Sequence, residues 1–207
     1  MSSFVEIPAT RNSMMRRKIH YGIGINDAPY MTSVEVSGKM TQCPVYRMWV
    51  NMLKRCYDNE FHKKNPTYIG CSVSIDWWMF SKFREWVKNK DWIGKQLDKD
   101  LLIQGNKVYS SGTCVFVSRE VNNITGGGNS ATGEYPQGVT MDNGRGKLFA
   151  QIKIMGKVKF LGYFKTATEA HDAYKIAKYA RISEVANEQT DERLKLALLN
   201  YKINGDK

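Results

Sequence analysis

Asp98, Lys99 and Asp100 are consecutive. Two carboxylates one residue apart can offer oxygen ligands to a hard divalent ion such as Mg²⁺. The lysine between them is protonated at neutral pH, so it is a poor base but a good clamp for a phosphate. The three residues open the stretch QLDKDLLIQGNKVYSSGTCVFVSREVNN, from Gln96 to Asn123. Its pattern predicts a short strand over Leu97–Leu102, a turn at Gln104-Gly105-Asn106, and an irregular crossing through Ser110-Ser111-Gly112. A second strand over Cys114–Val117 follows, and then a helix whose first free N–H groups Ser118 can cap. No histidine lies in the stretch; His20, His62 and His171 are elsewhere.

Strand, loop, strand and helix in so few residues outline a ββα metal-nuclease finger. The string LDKD…GNKVYS…TCVFV…VNN resembles the His-Asn-His (HNH) endonucleases of phages and mobile introns. The preceding Y-x-x-W-x-x-M-x-x-R-C-Y and Y-x-G-C-x-V patterns extend that resemblance over roughly residues 40–125. In that family an Asp and an Asn hold a divalent metal on the scissile phosphate, and a His takes a proton from the attacking water. The resemblance implies that Asp98 takes the Asp position, Lys99 the His position, Thr113 the Asn position, and Asn122 or Asn123 that of the helix asparagine. Asp98 and Asp100 are then the expected ligands of Mg²⁺ or another divalent metal. With lysine where imidazole should work, the frame carries over better than the chemistry.

The chain has 207 residues, a formal net charge of +11 and a pI of about 9.4. That length holds one large or two small domains, and that charge favours a polyanionic partner. No apolar run is long enough to span a bilayer, and the first residues lack a signal-peptide core, so the expectation is a soluble intracellular protein without membrane contact. Four cysteines (Cys43, Cys56, Cys71, Cys114) lack paired C-x-x-C knuckles. They read either as buried small apolar residues or as ligands of Zn²⁺.

Arg11, Arg16, Arg17 and Lys18 make the first 40 residues a basic arm, lying on phosphates or unstructured. Pro44 opens a helix whose buried stripe is expected to be Val45, Met48, Trp49, Met52, Leu53 and Cys56. Asp58–Pro66 reads as a polar loop and Cys71–Ile75 as a strand. Asp76 is the expected cap of an aromatic helix buried through Trp77, Phe80, Phe83, Trp86 and Val87. Thr125–Thr132, with three glycines, reads as a linker.

Residues beyond it are patterned differently. A short strand at Gly138-Val139-Thr140 leads to the turn Asp142-Asn143-Gly144, and Lys147–Ile154 alternates between Lys147, Phe149, Gln151, Lys153 and Leu148, Ala150, Ile152, Ile154. Met155-Gly156 turns the chain, a third strand returns, and Thr166 with Glu169 forms a capping box. Alanines at 167, 170, 173 and 177 let the helix lie close on the sheet. The run Leu161-Gly162-x-Phe164-x-Thr166-x-x-Glu169-Ala170-x-x-Ala173-Tyr174-x-x-Ala177 resembles the APETALA-type DNA-binding domain of plant ethylene-response factors, found also beside HNH nucleases in phage homing enzymes. That resemblance implies a sheet lying in the major groove, with contact positions on Gln137, Thr140, Asp142, Arg145, Gln151, Lys153, Val158 and Phe160.

The expected fold is α+β: a helical scaffold with a ββα (His-Me finger-like) motif, then a three-stranded antiparallel sheet packed on one helix. The expected division is a basic arm (1–40), an HNH-like domain (41–125), a linker (126–134), an APETALA-type domain (135–186) and a C-terminal helix (187–207). The sites are Asp98, Lys99, Asp100, Thr113, Asn122 and Asn123 for cleavage, and Arg16, Arg17, Arg145, Lys147, Phe149, Gln151, Lys153, Lys157 and Lys159 for double-stranded DNA. The function implied is that of a phage homing-type endonuclease, in the host cytoplasm, with its base replaced. The alternatives are an inactive DNA-binding accessory or regulator, and a phage protein that blocks a host protein.

Overall fold

The computed structural model describes residues 4–126 and 134–203; most of the glycine-rich linker lies outside them. The mixed helix and strand composition is α+β. The chain divides into two units, Met1–Ile93 with Ile103–Phe116, and Gly94–Leu102 with Val117–Lys207.

In the first unit the basic N-terminal segment is built into the fold. Thr10 caps the short helix α1 (Arg11–Met15) through the Ser13 amide. Backbone bonds Ala9 N–Pro29 O (2.9 Å) and Met31 N–Ile7 O (2.8 Å) tie residues 7–9 to 29–31. The hairpin β1 (Ser33–Val36) and β2 (Lys39–Gln42) turns at Ser37-Gly38. Both turn residues have positive φ (50° and 74°), the geometry that matches strand twist.

Helix α2 (Pro44–Tyr57) starts on its proline and buries Tyr46, Trp49, Met52, Leu53 and Cys56. Tyr46 lies in the buried stripe while Val45 and Met48 stay half-exposed. Where a polar loop was expected, Asp58 accepts from the Phe61 amide at 3.0 Å and starts α3 (Asn59–Lys64). A two-residue strand, β3 (Ser72–Val73), precedes a 3₁₀ turn over Ile75–Trp78 and α4 (Phe80–Lys88). Asp76 does not cap that helix. Asp27 does, accepting from Ser81 N (2.8 Å) and Ser81 Oγ (2.5 Å). Trp49, Phe80, Phe83 and Trp77 form the core, and Trp49 Nε1 donates to Trp77 O at 2.7 Å.

The chain then passes through β4 (Gln96–Asp98) in the second unit. It returns to the first unit with β5 (Val108–Tyr109), which runs parallel to β3. β6 (Val115–Val117) ends in the second unit, where Ser118 caps α5 (Arg119–Thr125) through the Val121 amide at 3.1 Å. β4 and β6, the strands expected of the finger, form a two-stranded sheet.

The second unit is built on an antiparallel sheet, β7 (Val139–Asp142), β8 (Lys147–Ile154) and β9 (Lys157–Phe164), covered on one face by α6 (Ala167–Asn187). Both halves of the Thr166–Glu169 capping box are formed. Val139, Ala150 and Ala170 are buried between sheet and helix, with Leu148, Leu161 and Phe164 packed around them. Gly138 has φ +83°, and a Cβ there would lie 2.1 Å from the Tyr174 ring. The far half of α6 packs against α5 and against α7 (Glu192–Leu199). Arg181 of α6 bonds Glu120 of α5 through Nε at 3.0 Å. Leu194 and Leu198 of α7 and Ile203 beyond it are buried, and α7 packs on α6.

Candidate nucleic-acid interface

Across the sheet, Thr140 pairs with Phe149 and Phe149 with Tyr163; Asp142 pairs with Lys147, Gln151 with Phe160 and Lys153 with Val158. Side chains of directly paired residues share a face. These residues therefore form the face opposite Val139, Ala150 and α6. The register shifts between Ala150 and Gln151, which leaves Leu161 without a partner. Such a bulge rephases a strand: Leu161 packs on the core, and Phe160 and Tyr163, three residues apart, come to the same side.

The outcome is an aromatic cluster on the open face. Phe149, Phe160 and Tyr163 have ring centroids 5.9, 6.1 and 5.1 Å apart. Phe160 is 53% exposed and Tyr163 39%. Lys147 and Lys153 stand exposed at either end of β8. Arg145, in the turn, donates to the Tyr163 hydroxyl, which donates to Asp142 Oδ2 at 2.8 Å. The Tyr163 hydrogen bond holds the Asp142 carboxyl below its ordinary pKa and, from its other side, raises Arg145. Asp142 is therefore charged at neutral pH and spent on Arg145 and Tyr163. The Asx turn at Gly144 and Arg145 uses its other oxygen.

Not every basic residue expected here shares this face. Lys157 and Lys159 pair with Ile154 and Ile152, so they point to the helix side at the exposed edge strand. Arg16 is exposed, whereas Arg17 donates to three carbonyls, Asn26 O (2.9 Å), Ala28 O (2.7 Å) and Tyr30 O (2.9 Å). Tyr163 was not among the expected contacts, because strict alternation from Phe160 puts it on the buried face.

The acidic triplet forms a tight turn. Asp98 Oδ1 accepts from the amides of Asp100 (3.0 Å) and Leu101 (2.7 Å), which ends β4 at Asp98 rather than at Leu102. Burial, then the Asp100 charge, pushes the Asp98 carboxyl above its usual range, and the two amides pull it back in part. Lys99 is buried and its Nζ lies 3.0 Å from Asp100 Oδ2. Asn122 donates its side-chain amide to Gln96, while Asn123 is exposed. Thr113 belongs to the first unit, where its Oγ1 donates to Val108 O at 2.7 Å.

Asp98 and Asp100 bring two carboxylates to that turn, and among the described residues no group of three His, Cys, Asp or Glu is placed to hold a metal. The four cysteines are buried without disulfides. Among the described residues no helix is long and apolar enough to cross a membrane. The chain gives no match to protein-family models, to curated proteins or to solved structures.

Proposed function

We propose that the protein binds double-stranded DNA through the open face of β7, β8 and β9, as a DNA-binding accessory rather than a cleaving enzyme. The observation that carries this reading is the cluster of Phe149, Phe160 and Tyr163 on the open face, its last two members exposed, flanked by Lys147 and Lys153. Phe160 and Tyr163, exposed beside the half-buried Phe149, make an apolar patch that calls for a partner. Lysines at its ends suit a partner that is also a polyanion. A β-ribbon fits the major groove, where Gln151 can pair bidentately with adenine, aromatic rings can meet thymine methyls, and lysines can meet phosphates.

The turn at Asp98 supports binding over cleavage. Lys99, at the position where the resemblance expects the base, is buried and paired with Asp100, and Asp98 gives one oxygen to backbone amides. The HNH expectation predicts metal-dependent nicking of supercoiled DNA that Asp98→Ala abolishes. The accessory reading predicts intact DNA with Mg²⁺, Mn²⁺ or EDTA, and affinity that falls steeply with salt. Salt-insensitive binding would instead favour a protein partner.

A further inference from the structure

An open cavity of about 320 Å³ lies in the first unit, lined from α1, from the segment 17–33 and from Tyr46 of α2. Its lining contains Arg17, Lys18 and His20, five hydroxyl or amide side chains, and Met31; no carboxylate lines it among the described residues. The Arg17 guanidinium is fixed by the carbonyls of Asn26, Ala28 and Tyr30. Those bonds use three of its five N–H donors, and among the described residues no carboxylate is paired with it. Behind it, Tyr46 Oη and His20 Nε2 are 2.6 Å apart, and Asn26 Nδ2 donates to Thr32 Oγ1 at 3.2 Å. The imidazole is further packed edge-on against Trp49, with centroids 5.6 Å apart. A cation held in place, an exposed lysine next to it in the chain and the hydroxyls of Thr32 and Ser33 in the same lining make a preorganised anion site.

The cavity exceeds what a bare phosphate needs and matches the lower end of small-ligand sites, about 300 Å³. We propose that it binds a phosphate monoester of nucleotide size, with the phosphate between Arg17 and Lys18 and the organic part along Met31 and the Tyr46 ring. A free nucleoside monophosphate and the 5′-phosphorylated end of a nucleic-acid strand present the same chemistry. The site is formed by residues of the first unit and the sheet surface by residues of the second, and the proposal does not rest on the sheet.

Calorimetric titration of the full chain tests this, with deoxyadenosine monophosphate, deoxyadenosine, and tetranucleotides with and without a 5′-phosphate, at constant ionic strength. Saturable binding of the monophosphate is expected, at least about tenfold tighter than the nucleoside. Lys18→Glu, at an exposed position that leaves the Arg17 bonds in place, should weaken it by about tenfold or more, whereas Lys64→Glu, equally exposed in the same unit, should leave it unchanged. A 5′-phosphorylated tetranucleotide that binds tighter than the mononucleotide assigns the strand end; equal affinities assign the free nucleotide. The proposal is overturned by absence of saturation, by equal binding of nucleoside and nucleotide, or by full affinity in a folded Lys18→Glu variant.

Discussion

Asp98 is held against its own charge. Burial and Asp100 raise its carboxyl in the folded chain, so ionisation there destabilises the fold. Below the ordinary carboxylate pKa the group is neutral in both states and contributes nothing. The penalty develops as pH rises through that value and is complete above the raised one. Asp98→Asn keeps an oxygen for the two amides, so it should raise the melting temperature at pH 7 and leave it nearly unchanged at about pH 3.

Lys178 shows the same logic with opposite sign. It is buried on α6 with its Nζ 5.7 Å from the Tyr174 ring centroid and 5.9 Å from that of Tyr201, and burial lowers its pKa. The unfolded chain therefore holds that proton more strongly, and stability rises with pH between the lowered and the ordinary lysine values. Lys178→Met should be more stable than wild type at pH 7 in thermal melts. The gap should close above about pH 10.4, where the lysine is neutral in both states.

Among the elements, the sheet with α6 is the part most open to local reading and local test. Thr166→Ala removes one half of the capping box and should lower stability by about 1 kcal/mol in denaturant unfolding. Gly138→Ala puts a methyl into the Tyr174 ring at a positive φ and should lower it by about 2–4 kcal/mol. The turn at Asp142, the alternation of β8 and the Thr166 cap were legible because each depends on residues within a few positions. The start of α4 was not, because its cap, Asp27, lies 54 residues away. Nor was the face of Tyr163, which the bulge at Leu161 reverses. The early end of β4 follows from the Asp98 side chain bonding its own backbone two and three residues on, a competition that residue types alone leave open. The acidic triplet was legible as a group. Its internal pairing, Lys99 with Asp100, was not.

At the scale of the whole chain, a net charge of +11 supplies a general attraction to any polyanion. What separates a defined interface from general attraction is where the charge sits. Lys147 and Lys153 flank exposed aromatics on one face, whereas Arg17 belongs to the first unit and Lys157 and Lys159 face the other side of the sheet. Fluorescence anisotropy with labelled duplex DNA, over roughly 50–200 mM salt, tests that placement most directly with the double variant Lys147→Glu, Lys153→Glu. The account predicts at least about tenfold weaker binding and a log–log salt slope shallower by about two. An unchanged affinity and slope in the folded variant would contradict it.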